Sequence, residues 1–471
     1  NKIGQCPEEK KGSTLKTAYT ENDYFEKAPV WQAIVHMSVP MILGMCVNLI
    51  YNLLDTYFIG QLHQTALISA STLTLPLFAL LMAVGSLFGT GGGTYISRLL
   101  GQKRGEDAKK AASVTAFYGI AAGVVLAVVL LLCLNPILHL LGATGDVLAP
   151  TRAFAQIYLL GSPALIGSFT LEQVVRAEGA SKTSMVGMAI SVGINVALDP
   201  LFIFGFHFGM AGAAGATVLG NLGAVIFYLI WLRTKSTQLD AKISLIRPTK
   251  EMNKEIFKVG VTALIQDSFL VVSSLLFNNL LMAYGDPTVA AFGIAQRVTQ
   301  LPEFLGMGLS FGVIPLIAYS FSAKNRGRMM EVFKKTSLAI LVLVLAADVL
   351  LFLFRLPICR LFSTDPRVLQ VGSLVLTAML ISTLFNAFAG LFTGTFQGIG
   401  DGKKAGIMSV LQGILLIPTA IIGDLLFKLN GVIWALTAAE VVAGVIGAIL
   451  LFTSQKHLAV SEPKEASSVP V

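Results

Sequence analysis

The sequence predicts an all-α membrane protein of twelve transmembrane helices, arranged as two parallel-repeat six-helix bundles. Three observations carry this reading. Apolar stretches long enough to cross a bilayer recur along nearly the whole chain, Lys and Arg alternate from loop to loop, and the two halves match at an offset close to 220 residues. The 471 residues are 55% hydrophobic and only 13% charged, too little charge to cover a soluble chain of this length.

Crossing a hydrocarbon core takes about 20 helical residues. Stretches of that kind start near 32, 66, 108, 148, 180, 211, 255, 288, 332, 368, 403 and 430. Between them lie short loops rich in Gly, Pro, Asp and Asn, such as GQLHQT at 60–65 and YGDPT at 284–288. The chain therefore divides into an N-terminal tail (1–28), a first lobe (29–233), a linker (234–254), a second lobe (255–454) and a C-terminal tail (455–471). No apolar run in the first tail suits a cleavable leader, so the first span is expected to act as the signal anchor. Cys6, Cys46, Cys133 and Cys359 are scattered without metal-like spacing and suggest neither a disulfide framework nor a zinc site.

Charge supplies the orientation. Of the 34 Lys and Arg, 28 lie in segments on the side holding both termini, 5 lie on the opposite side, and Arg297 falls inside a span. The positive-inside rule then makes both termini cytoplasmic, which requires an even number of crossings. The net charge of +8 is topogenic, with membrane lipid as a lesser partner; no nucleic-acid partner is expected.

The repeat shows in three places. GSLFGTGGGTYISRLLGQKRGE (85–106) matches GLSFGVIPLIAYSFSAKNRGR (308–328), pairing Phe88 with Phe311 and Ser97 with Ser320. GASKTSMVGM (179–188) matches GDGKKAGIMS (400–409), and GMAGA (209–213) parallels NGVIW (430–434). Six spans per half give both halves one orientation, with a central cavity where they meet. The TGGGT run at 90–94 lacks the preceding strand and following Lys of a phosphate loop and reads as close helix contact.

Ionisable residues inside spans are functional candidates, because a charge at a helix centre costs roughly 2.5–3.5 kcal/mol. Asn48, Asn52 and Asp55 share one face of span 1, Asn195 and Asp199 are an i, i+4 pair on span 5, and Thr217 and Asn221 repeat that spacing on span 6. Asp55, Asp199 and Thr217 fall at one depth, so three polar faces can converge on Na⁺ or on a proton shared by the acids. The other reading is that these groups only hydrogen-bond the helices together.

In the second half, Asp267 and Asn278 share a face of span 7, and Gln296, Gln300 and Glu303 form a stripe on span 8. Arg297 is expected to pair with one of these acids. The group reads either as a cavity that attracts cations or as a buried pair that fixes packing. Asp348 and Glu440 lack polar partners on their own faces and read as structural. Phe385 and Phe388 on span 10 read as packing or as a stacking surface for a flat cation, and Pro40 as a bend in span 1.

LDPLFIFGF (198–206), FGTGGGTYISRLLG (88–101), RAEGASKTSMVGM (176–188) and the repeat together resemble the multidrug and toxic compound extrusion (MATE) family, and within it the MepA-type bacterial exporters, over roughly 25–455. The resemblance implies a V of two bundles in a bacterial cell membrane, a monomer, and export of amphipathic organic cations in exchange for H⁺ or Na⁺. It assigns the coupling cation to Asp55, Asn195, Asp199 and Thr217, supported by Asn52 and Asn221, and makes Pro40 the point where the first helix bends. A glutamate that serves as a cation ligand on span 7 in one branch has no counterpart here, so no second-lobe cation site is implied. The remaining reading within the same superfamily is a flippase for lipid-linked saccharides, which would need a large basic cavity. No enzyme and no cofactor beyond the coupling ion are expected: the five His are dispersed, and no nucleophile and base can be paired.

Overall fold

A computed structural model of the chain describes residues 21–60, 65–362 and 365–459. These are helical throughout, with no strand among them. The first lobe comprises α1 (Glu21–Glu26), α2 (Val30–Gly60), α3 (Thr65–Gly101), α4 (Gly105–Leu132), α5 (Leu134–Leu140), α6 (Leu148–Leu160), α7 (Ser162–Ala177), α8 (Ser181–Pro200) and α9 (Gly209–Thr234). The second comprises α10 (Lys250–Met282), α11 (Asp286–Gly312), α12 (Ile314–Ser322), α13 (Arg326–Leu353), α14 (Arg355–Phe362), α15 (Pro366–Ile399), α16 (Gly402–Ile414) and α17 (Leu416–Ala459).

Ten helices are long and apolar enough to cross a membrane, and α6 with α7, bent by 51°, makes an eleventh span. The segment Gly402–Ser454 passes that test as one unit, but it is folded in two. Lys428 has φ 54°, and a Cβ on Gly423 would collide with the Gly431 backbone, eight residues further on. A straight helix would separate those residues by about 12 Å. The chain turns back at Lys428, which gives twelve spans.

Backbone conformation makes the repeat explicit. Left-handed residues occur in pairs 221 apart: Lys103 with Lys324, Gly179 with Gly400, and His207 with Lys428. Helix ends follow the same offset, since α4 spans Gly105–Leu132 and α13 spans Arg326–Leu353. The Lys103 and Lys324 pair also corrects the match of Ser97 with Ser320, which is two residues out of register at that helix end. Prolines set the differences between halves. Pro163 opens α7 at a break, whereas its equivalent Leu384 lies inside unbroken α15; Pro315 opens α12, whereas its equivalent Thr94 lies inside unbroken α3. A proline lacks the N–H that would continue the ladder. Pro40, in contrast, lies inside an unbroken α2.

The lobes meet through two related helix pairs, α2 with α11 and α3 with α10, and through α3 with α12. Glycines set the two related crossings. A Cβ on Gly260 would fall on the Leu87 carbonyl, one on Gly91 on the Ile256 carbonyl, and one on Gly308 on Ile42. In the TGGGT run, Gly91 faces α10, Gly92 faces Thr115 of α4 and Gly93 faces Gln173 of α7. Three successive glycines thus admit three helices, the close contact expected from the sequence.

Polar ties seal the same end, the one that carries the basic loops. Arg98 Nη2 lies 3.0 Å from Glu255 Oε2, and Tyr118 donates to Asn253 Oδ1 at 2.8 Å. Tyr319 donates to Glu26 Oε1 at 2.6 Å, and Arg328 donates to the carbonyls of Tyr24 and Ala28 at 2.8 and 2.9 Å. Residues 21–28 are therefore docked rather than part of a free tail: Phe25 is buried and stacks on Tyr319 at 4.7 Å. Residues 1–20 and 460–471 lie outside the described residues. Between the lobes, Glu178 gathers the start of the linker, accepting from Ser236 Oγ at 2.5 Å and from the backbone N–H of Thr237 and Gln238 at 3.0 and 2.9 Å.

If the glycine crossing sets the seam, Gly260→Ala should cost about 1–3 kcal/mol and lower the thermal unfolding midpoint. Gly293→Ala, at a site with open space around its built Cβ, should leave the midpoint unchanged or slightly raised. Equal midpoints for Gly260→Ala and wild type would remove the crossing as a constraint.

Candidate functional site

Among the described residues, three cavities in the membrane-spanning part bear on function. The first lies within the first lobe, has a volume of about 260 Å³, and is lined by Tyr51, Glu172, Ser191, Asn195, Thr217 and Asn221. The second lies between the lobes, at about 330 Å³, and the third within the second lobe, at about 420 Å³.

The first cavity is built by α2, α3, α7, α8 and α9. Gly220 lets the α9 backbone approach α8 at Ser191 and Asn195, which brings Thr217, one turn away, onto Asn195. Thr217 Oγ1 is the hub: Asn195 Nδ2 donates to it at 3.1 Å, the Tyr51 hydroxyl lies 3.2 Å away, and Thr217 itself donates to the Ala213 carbonyl at 3.1 Å. Asn221 Nδ2 donates to the Thr217 carbonyl at 2.9 Å. Asp199 is fully buried one turn beyond Asn195. It sits where α8 ends at Pro200 and the backbone widens into a π-helical turn, Leu201–Gly205. Such turns recur at functional positions in helices. Asn52 and Asp55 belong to α2, but their side chains lie outside the described residues.

Asn195 Oδ1 is buried without a hydrogen-bond partner among the described residues. A bare carbonyl oxygen beside a buried carboxyl suits either a Na⁺ ligand set or an acceptor for a protonated acid. Thr217 adds a second neutral oxygen. The donor set thus fits either Na⁺ or a proton.

Tyr51 was not singled out from the sequence, and Glu172, recognisable there as an acid near a span end, was not assigned to this site. Tyr51 falls one turn before Asp55 on the same helical face, a spacing that was available. Glu172 lies on α7, four residues before Arg176, whose Nη1 is 3.7 Å from Glu172 Oε1. Both are buried, and Arg176 also donates to Gln173 Oε1. This i, i+4 acid and base pair was the missed signal.

The cavity between the lobes is lined by Met41, Met45, Met82, Met307, Phe169 and Phe311, with Asp267 and Arg176 as its charged groups. Methionine side chains adapt to ligands of different shape, a property met at promiscuous surfaces. Met82 and Phe169 line the first cavity as well, so the two spaces share a wall. The ion pair crosses it: Glu172 lines the first cavity and Arg176 the second.

The remaining expected cavity residues separate. Asn278, Gln296 and Glu303 line the second-lobe cavity, away from Asp267, and Gln300 lines none of the three. Arg297 is exposed and makes no ion pair among the described residues, contrary to the expected pairing. It lies three turns from Gly308, beyond the stretch where α11 packs on α2. Phe385 packs against Gly444, and Phe388 against the apolar core, so both are packing residues. Asp348 is tied by Thr383, whose hydroxyl lies 2.9 Å from each carboxylate oxygen, as befits a structural acid. Glu440 instead lines the second-lobe cavity.

Comparisons with known proteins agree with this architecture. The MatE family model matches residues 40–201 and 263–422. The multidrug export protein MepA of Staphylococcus aureus (strain MRSA252) is 40% identical over 437 residues, covering 93% of this chain and 97% of that protein. MepA of Staphylococcus saprophyticus is 39% identical over 439 residues, with the same coverage. Among solved structures, the outward-facing conformation of a multidrug resistance MATE family transporter of the MOP superfamily superposes with a TM-score of 0.88. That match covers 94% of this chain and 99% of that one at 23% identity. A MATE in the bent conformation superposes at 0.85, with 23% identity and coverage of 94% and 99%. At that identity the likeness concerns the fold.

Removing the hub hydroxyl should be measurable. Thr217→Val leaves Asn195 Nδ2 and the Tyr51 hydroxyl without a shared partner and should destabilise the purified protein by about 1–3 kcal/mol, whereas Thr217→Ser should restore it. Thermal unfolding of the two variants checks this, and a Thr217→Val protein as stable as wild type would show that the network contributes nothing.

Proposed function

Since the chain belongs to the MatE family, we propose that it is a secondary antiporter of a bacterial cell membrane that exports amphipathic organic cations in exchange for H⁺ or Na⁺. The observation that carries the reading is the shared wall between two cavities of different chemistry. The polar cavity lined by Tyr51, Asn195 and Thr217, with buried Asp199 one helical turn from Asn195, suits a small cation, and the Met- and Phe-lined cavity with Asp267 suits a large apolar one.

In this mechanism the substrate's charged head lies against Asp267, and its apolar body against Met41, Met45, Met82, Phe169 and Phe311. The coupling ion loads the first lobe at Asp55 and Asp199, with Asn195 and Thr217 as neutral oxygens and Asn52 and Asn221 in support. Loading disfavours the substrate-bound arrangement, and by reciprocity of binding free energies substrate binding expels the ion. Glu172 and Arg176 are placed to carry that message, because a change of charge in the first cavity alters the grip on a cation repelled or released by Arg176 in the second.

Both termini face the cytoplasm by the charge rule, so the seam sealed at the basic loops is the inner gate and the lobes diverge outward. Alternating access then requires the glycine crossings and their ion pairs to part. Pro40, adjacent to the α2 and α11 crossing at Ser38 and Ile42, is the point where α2 can bend as that happens. One copy holds both cavities, so a monomer suffices. A lipid-linked saccharide finds no matching basic cavity, since Arg176 is engaged by Glu172.

Ethidium efflux from proteoliposomes under separately imposed pH and Na⁺ gradients tests the assignment. Efflux should follow one gradient in wild type, fall by about tenfold or more in Asp199→Asn and Asp55→Asn, and weaken through a raised KM in Asp267→Asn. Export that survives neutralisation of both Asp55 and Asp199 would overturn the coupling site.

A further inference from the structure

The second-lobe cavity is the largest of the three at about 420 Å³, and neither the coupling ion nor the central substrate position uses it. Two carboxylates line it from different helices, Glu303 on α11 and Glu440 on α17. No Lys or Arg lines it among the described residues. Oε2 of Glu440 is buried without a hydrogen-bond partner among the described residues, in contrast to Asp348, which Thr383 satisfies.

An orphaned carboxylate oxygen in a low-dielectric wall, in a cavity that holds a second carboxylate, is costly until a positive charge arrives. The volume is far larger than a bare metal ion needs and lies in the range of pockets for drug-sized molecules. Its apolar lining includes Phe277 and Phe292, an edge-on pair with centroids 5.4 Å apart that offers a π face to a cation. Asn278, Gln296 and Asn386 supply neutral polar groups around the rim.

We propose that this cavity is a second organic-cation site selective for dications, with one positive head held by Glu440 and the other by Glu303. The proposal rests on the reading that the chain transports organic cations. It adds a division of labour: the central cavity offers one carboxylate, Asp267, to monocations, whereas the second lobe offers two. A monocation placed in the second lobe would leave one carboxylate uncompensated, which is the physical source of the selectivity.

The test is equilibrium binding of two fluorescent dyes, the bis-amidine dication DAPI and the monocation ethidium, to the full chain in lipid nanodiscs. Glu440→Gln and Glu303→Gln should each weaken DAPI by about tenfold or more while ethidium shifts by less than about twofold. Asp267→Asn should do the reverse, and Glu440→Asp should recover part of the DAPI affinity. Variants are compared at matched thermal stability, so a folding defect would show as parallel loss of both dyes together with a lowered unfolding midpoint. DAPI binding indifferent to both glutamates, or equal loss of both dyes in a stably folded Glu440→Gln protein, would overturn the dication site and leave the transport reading standing. Failure of wild type to bind either dye would overturn both.

Discussion

The close crossing of α3 and α10 at Gly91 and Gly260 is the constraint on which the rest of the molecule depends. Lipid tails are as apolar as leucine, so apolar burial gives little reason for two transmembrane bundles to associate; close packing of small residues does. The same three glycines that admit α10 also admit α4 and α7, which ties the first lobe's internal packing to its contact with the second. Arg98 and Glu255 then close the seam beside it, and the pseudo-equivalent position of Arg98 is Tyr319, which holds Glu26. The ties are gathered at one end, and a cavity of about 330 Å³ lies between the lobes.

On this symmetric backbone the chemistry is asymmetric. Left-handed residues recur at an offset of 221, yet the residues that bear the polar sites do not. Asp199 has Ala420 as its equivalent and Thr217 has Ala438, while Glu303 has Met82 and Glu440 has Leu219. Each lobe thus keeps the packing solution of its counterpart and carries different polar groups. One lobe holds a compact network around Thr217, suited to a small ion, and the other a wider cavity lined by two acids. Ancestral duplication explains the shared frame, and the cost of burying charge explains why each polar set stays confined to a cavity.

The adjacency of the first two cavities matters more than either alone. Met82 and Phe169 form a wall one side chain thick, and the Glu172 and Arg176 pair reaches through it. Electrostatic influence across so short and dry a path is weakly screened, since the interior has a far lower effective dielectric than water. A change of charge at one cavity is therefore felt at the other without a long chain of rearrangements.

Much of this was legible in the sequence. The spans followed from apolar length, the repeat from three short matches, and the convergence of Asn195 with Thr217 from helical spacing and depth. Other features required the folded chain. Periodicity places a residue on a face and at a height, but it does not say which helix will stand opposite. That is why Arg297 was expected to have an ion partner and has none among the described residues, and why Glu440, isolated on its own helix, proved to line one cavity with Glu303. Asp267 and Asn278 share a helical face but reach different cavities, because the helices packed against that face change along its length. The sequence by itself determined the apolar spans, the twofold plan and the meeting of Asn195 with Thr217, all of which rest on local periodicity. Only the tertiary structure decided how the polar residues were divided among three cavities, because that division depends on contacts between distant helices whose spacing is set by packing.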